Sequence, residues 1–158
     1  MNLRFPYLPV PIVGLCPPTL PPNSTHRFRP IVPVQLIHPT KGSLLQRCEA
    51  VVGAGADDCI LPITIATQLG LALLQTGAFH RIRWRGSAWA MQFSDVLLRL
   101  DDGVHTCTWP ARVAFSPAPI PNPLLGQMGC LQFFNATYLG ADQLVVLEPS
   151  SIYPGTTT

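Results

Sequence analysis

Between positions 50 and 62 the chain reads Ala50-Val51-Val52-Gly53-Ala54-Gly55-Ala56-Asp57-Asp58-Cys59-Ile60-Leu61-Pro62. An apolar strand enters a turn of small residues, passes two adjacent carboxylates, and continues as a second short apolar run. No lysine follows the glycines and no long helix opens from them, so the turn is not a phosphate cradle. Pro62 suits the first position of a short helix over 62–69, and Gly70 suits its end.

The rest of the chain reads in the same short units. Residues 31–37 and 44–52 form two strands around a turn at 39–42, and 59–61 continues extended. Residues 80–84 and 88–93 flank Arg85-Gly86-Ser87 as a hairpin. Arg81, Arg83 and Arg85 alternate with Ile82 and Trp84, the period-2 pattern of a half-exposed strand. Strands over 96–100 and 105–115 meet at Asp101-Asp102-Gly103. A proline-rich connection over 116–123 leads to Leu124-Leu125-Gly126 and a short amphipathic helix through Cys130, Leu131 and Phe134. A last hairpin, 135–139 with 143–147, turns at Gly140-Ala141-Asp142. Many short strands with one or two short helices predict an all-β, barrel-like domain.

Prolines set the expected boundaries. Pro17-Pro18 and Pro21-Pro22 fit neither a helix nor a central strand, because proline lacks the amide donor and fixes its torsion. Residues 1–27 are expected to be an extended proline-rich arm, either floppy or docking on a partner. A domain over 28–150 and a flexible tail over 151–158 complete the organisation.

Composition narrows the class. Of 158 residues, 47% are hydrophobic and 11% charged, enough for a packed core. A net charge of +2 with a single lysine, Lys41, argues against nucleic acid. Five cysteines without a CxxC pair give no zinc or thioredoxin-like pattern. They read as reduced thiols of a cytoplasmic protein. His26, His38, His80 and His105 lack ligand spacing, so neither metal nor cofactor is expected. Ser43 and Ser87 lack a nucleophile-elbow context. No apolar run has membrane-span length. Pro6, Pro9 and Pro11 interrupt the apolar N-terminal stretch, so it is not read as a secretory signal.

The loop at 50–62, the hairpin around Trp84 to Trp89 and the Leu124-Leu125-Gly126 segment follow one another in an order that resembles a retropepsin-like aspartic peptidase, especially the bacterial single-domain relatives of retroviral proteases. That family's loop reads Asp-Thr-Gly-Ala-Asp. Two protomers pair so that two aspartates meet, share a proton, and act as base and acid on a water and a scissile carbonyl. The resemblance implies a retropepsin-like closed β-barrel, a homodimer, a flap at the hairpin and a peptide or protein substrate. It puts the catalytic aspartate position on Gly53 and the threonine that cross-links the two loops on Ala54, while Gly55 matches the family glycine. Ala56, Asp57, Asp58, Trp84 and Gly86 fall at substrate-binding positions. Gln127 stands where viral members carry arginine.

Gly53 has no titratable group and Ala54 cannot make the cross-link. The expectation is a peptidase homologue that is catalytically impaired or inactive and retains peptide binding. Two alternatives stay open. One is an active aspartic endopeptidase that uses another carboxylate or differs naturally at position 53. The other is a dimeric interaction module working through the arm and the aromatic hairpin. Glu49, Asp95, Asp101, Asp102, Asp142 and Glu148 read as strand, turn or surface positions, and misplacement of a catalytic group by about an ångström already costs large factors in rate. Asp57 and Asp58 read equally well as caps on local backbone amides, and Arg81, Arg83 and Arg85 as the wet face of a strand. Trp84 and Trp89 are more commonly packing residues than ligand platforms.

Overall fold

Alternating burial along short apolar runs produces the strands. In chain order they are β1 (Leu3–Pro6), β2 (Leu8–Pro11), β3 (His26–Arg29), β4 (Ile31–Ile37), β5 (Leu45–Val52) and β6 (Ile60–Pro62). After helix α1 (Ile63–Leu69) come β7 (Leu74–Gln75), β8 (Arg81–Trp84), β9 (Ser87–Ala90), β10 (Gln92–Asp101), β11 (Thr106–Ser116) and β12 (Leu124–Leu125). A 3-10 turn (Leu131–Phe133) precedes β13 (Phe134–Leu139), β14 (Leu144–Pro149) and β15 (Thr156–Thr157). The computed structural model describes residues 1–75, 81–84 and 86–158, with only the backbone of Gln75 and Trp84.

Six strands close on themselves in the order β11-β6-β12-β5-β4-β10, and β10 pairs back onto β11. Closure removes the unpaired edges that an open sheet would leave. Val32, Val34 and Leu36 of β4, Ala50 and Val52 of β5, and Leu98 and Leu100 of β10 point into the barrel and are buried. Trp109 of β11 is fully buried, and its indole N–H donates to the Gly129 carbonyl at 2.8 Å. Its ring meets Phe134 edge-on at 5.1 Å between centroids. The all-β, closed-barrel expectation is met.

Helix α1 caps the barrel with Ile65, Ala66 and Leu69. It stops at Gly70, whose φ of 65° is the left-handed conformation glycine adopts without a Cβ penalty. The Leu71 and Gly70 amides there return to the Ala66 and Thr67 carbonyls.

The chain ends differ from the arm and the tail expected from the sequence. Leu3–Pro6 is a strand paired antiparallel with β14, and Leu3 and Phe5 are buried in the core. The alternation of Leu3 and Phe5 against exposed neighbours outweighs the nearby prolines. Pro6 ends β1, and Pro9 and Pro11 lie in an outlying two-stranded hairpin of β2 with β3, a place where a missing amide donor is tolerated. The fold therefore starts well before position 28. The tail at 151–158 also packs. Thr156–Thr157 pairs with Cys107 and Thr108 of β11, and Tyr153 lies against Trp109 and Phe134.

The second expected helix shortens to the single 3-10 turn. Leu131 and Gln132 donate to the Gly126 and Gln127 carbonyls, a span of five residues too wide for an α-helical ladder. Phe134 then enters β13 because its ring belongs in the core beside Trp109. The stretch expected as one strand over 88–93 divides at Met91 between β9 and β10.

Candidate functional site

The loop at 53–58 hangs between β5 and β6, and a remote segment of chain holds it from behind. Strand β12 lies parallel to β5, with Leu124 beside Val51 and Leu125 beside Val52, and antiparallel to β6. The Gly53 amide donates to the Leu125 carbonyl at 3.0 Å, and the Ala56 amide turns back to the Gly53 carbonyl at 3.0 Å. On the far side of the turn, the Gln127 amide donates to Ala56 at 2.8 Å and the Met128 amide to Asp57 at 2.7 Å. Asp58 and Met128 form an isolated parallel bridge.

This clamp requires glycine at 126. A Cβ there would run into the Asp58 carbonyl oxygen and stand 2.7 Å from that of Ala56. Gly53 is different. Its φ lies outside the left-handed region, and a Cβ there would meet only the Ala56 Cβ, at 4.0 Å. The backbone at the position expected to carry a catalytic aspartate therefore has room for a side chain. Gly55 faces open space as well.

Of the site residues expected from the sequence, Ala54, Gly55 and Asp57 are exposed, while Gly53, Ala56 and Asp58 are half-buried. Asp57 and Asp58 follow directly on the turn, yet neither carboxylate takes part in a hydrogen bond or ion pair among the described residues. The amide-capping reading of these two residues is thus not realised. Among the described residues the Gln127 side chain makes no hydrogen bond with Asp57. Its side-chain amide instead donates to the Ala54 carbonyl at 3.0 Å, at the tip of the turn.

Gln127 is one of two residues around the loop whose contacts the sequence did not reveal. Tyr138 of β13 is the other. Its hydroxyl lies 3.5 Å from the Val52 carbonyl, at the outer limit of a hydrogen bond. Burial pushes this phenol up, Tyr7 and Cys130 add to the effect, and a hydrogen bond with the Ala54 backbone opposes it. No spacing rule links Tyr138 to a loop more than eighty residues away; only the seating of the β1-β14-β13 sheet against the barrel brings it there.

Two cysteines lie beneath the loop. Cys59 and Cys130 are fully buried, and the Cys59 thiol sits 3.9 Å from the Gly126 carbonyl. A hydrogen bond with Cys59, then burial, then repulsion from Cys59 hold the Cys130 thiol well above the usual thiol range. Cys130 is thus a packing residue rather than a nucleophile, since the thiolate is the reactive form. Burial followed by the neighbouring Glu49 likewise pushes Cys48 up to about 11.

The β8–β9 hairpin pairs Trp84 with Ser87, and Gly86 at φ 80° makes the turn. Ile82 and Ile60 both pack on the small cluster of Met91, Phe93 and Ala114, which seats the hairpin beside the strand leaving the loop. Arg85, His80 and the Trp84 side chain, singled out from the sequence, lie outside the described residues. Among the described residues there is no group of three or more His, Cys, Asp or Glu side chains that could hold a metal ion.

A comparison with protein-family models finds no match to this chain, and a comparison with curated proteins finds none either. No helix among the described residues is long and apolar enough to cross a membrane.

Proposed function

We propose that this protein is a retropepsin-like aspartic peptidase homologue that has lost its catalytic acid and retains a peptide-binding cleft. One observation carries the reading. The three sequence blocks that resemble the family, about seventy residues apart at the extremes, converge in space. Leu124 and Leu125 flank the strand entering the loop, the next three residues hold the loop from behind, and the hairpin packs beside the strand that leaves it. Convergence of this kind is not required of unrelated short motifs.

The chemistry follows from what the loop carries. Position 53 offers no carboxylate, so a proton-sharing pair cannot assemble there in either of two protomers. Asp57 and Asp58 keep carboxylates without a hydrogen-bond partner among the described residues, able to accept hydrogen bonds from the main chain of an extended peptide. The exposed Ala54-Gly55 tip is where two copies meet in this reading. Gln127 supplies to the Ala54 carbonyl a tether within one chain, where the family's threonine would tether one loop to the other.

The test is the double substitution Gly53→Asp with Ala54→Thr, assayed on a peptide library between acidic and neutral pH, with sedimentation to follow the oligomer. The room at Gly53 predicts that the double variant folds. Gained, pepstatin-sensitive cleavage supports an intact cleft that lacks only its acid. A folded, dimeric variant that neither cleaves nor binds peptides sinks the reading. Equal cleavage by the unaltered chain would instead favour the active-enzyme alternative.

A further inference from the structure

Across the outer face of the barrel, three neighbouring strands place Arg47, Gln35 and Arg99 in one transverse row. Gln35 of β4 is directly opposite both Arg47 of β5 and Arg99 of β10. The row continues through Thr108 of β11 to Thr156 of β15. A cavity of about 500 Å³ opens over these five residues. That volume falls in the range of small-molecule sites.

The two guanidinium groups lack carboxylate partners. Among the described residues the only ion pairs within 4.0 Å are His105 with Asp102 and Arg112 with Asp95. Asp101 also lines the cavity, but its turn occupies both of its oxygens. One accepts from the Gly103 amide at 2.7 Å and the other from the Thr106 hydroxyl at 3.1 Å. Arg99 is held instead by a neutral group, as its Nε donates to the Thr108 hydroxyl at 3.1 Å. Having accepted that bond, the hydroxyl is left free to donate its own hydrogen.

We propose that this cavity binds a phosphomonoester. Such a group carries nearly two negative charges at neutral pH and three acceptor oxygens. Two guanidinium forks and one hydroxyl donor match that demand, whereas a single carboxylate would satisfy only one fork. Arg47 and Arg99 start about 10 Å apart, two strand spacings, so their long side chains can converge over Gln35. The Gln35 amide and the Thr156 hydroxyl meet the polar body of the ligand. Gly53 lies six residues beyond Arg47, just past the end of β5 and about 20 Å of extended chain away, so this site is separate from the loop and does not depend on the peptidase reading.

Calorimetric titration of the full chain with inorganic phosphate, glycerol 3-phosphate, a phosphoserine tetrapeptide and glycerol provides the test, with the Arg99 Nε–H resonance followed by NMR. Saturable binding of the phosphorylated probes, absent for glycerol and shifting that resonance, is the expected result. Arg99→Gln should weaken binding about tenfold or more, and the exposed Arg47→Gln, which leaves the Thr108 contact untouched, should weaken it too. Asp101→Asn should tighten it, because a repelling charge leaves the wall while the turn keeps an acceptor. Preference for the tetrapeptide over glycerol 3-phosphate supports the same phosphoryl site with a phosphorylated chain as its source, and the reverse preference supports a free metabolite. No saturation by any probe, or saturation that folded Arg47→Gln and Arg99→Gln both leave unchanged, overturns the proposal.

Discussion

At Asp101-Asp102-Gly103 all four carboxylate oxygens are engaged, whereas at Asp57-Asp58 none is among the described residues. Asp101 binds Gly103 and Thr106, and Asp102 takes the Val104 and His105 amides on one oxygen and the Arg4 amide on the other. The turn at 101–105 is thus built by its own side chains. The loop at 53–58 is built by backbone bonds and by the 123–128 segment behind it, so its carboxylates are not needed for its shape. Two adjacent acids in a turn therefore signal architecture in one place and an open surface in the other. What separates them is whether a neighbouring segment already supplies the hydrogen bonds.

The comparison breaks most visibly at Gly126. Gly126→Ala should lower stability by about 3 kcal/mol, the upper end of overpacking costs, read as a large fall in melting temperature. A small effect would mean that the clamp yields and the loop is not held from behind. Asp102→Asn comes next, since its side chain is only 5% exposed and one of its oxygens must become an amide donor facing the Arg4 N–H. A cost of about 1–3 kcal/mol at neutral pH follows.

Asp102 also sets a pH signature. Burial pushes its carboxyl up, but hydrogen bonds from the His105, Val104 and Arg4 amides outweigh burial and hold it below the ordinary value. A depressed folded pKa adds stability above the unfolded pKa, and that stability is lost as pH falls through the folded one. The gap in denaturant midpoint between the original chain and Asp102→Asn should therefore close below about pH 4. A gap constant down to strong acid would contradict the assignment.

Gln127→Ala should cost about 1 kcal/mol, the worth of one hydrogen bond, with faster amide exchange confined to residues near Ala54. The smallest effect belongs to Asp57→Asn with Asp58→Asn. Unfolding free energy should stay within about 0.5 kcal/mol of the original, while under the proposed function affinity for extended peptides falls. A marked loss of stability would show that these acids support the loop after all.

Much of this was legible in the sequence. The barrel strands β4, β5, β6, β10 and β11 and the helix followed from period and punctuation, whereas the two-residue strand β12 did not, being too short to show a period. The turn at 101–103 followed as well, since Asp-Asp-Gly carries its own mechanism. The N-terminal strand was hidden by its prolines, because the alternation of Leu3 with Phe5 is only two residues deep and Pro6, Pro9 and Pro11 speak louder. Gln127 was legible as a departure from a pattern but not as a tether, since the Ala54 carbonyl it holds belongs to the main chain and leaves no mark in sequence. Tyr138 was out of reach, as its position depends on how two remote sheets meet.

The pairing of Leu3 with Leu147 joins positions 144 residues apart. Closing so long a loop is slow relative to forming the β10–β11 hairpin, whose partners are neighbours in the chain. During synthesis the first strand leaves the ribosome long before its partner exists, with Leu3 and Phe5 uncovered throughout. The barrel must then assemble around the middle of the chain, and Leu3–Pro6 is among the last segments to find its place.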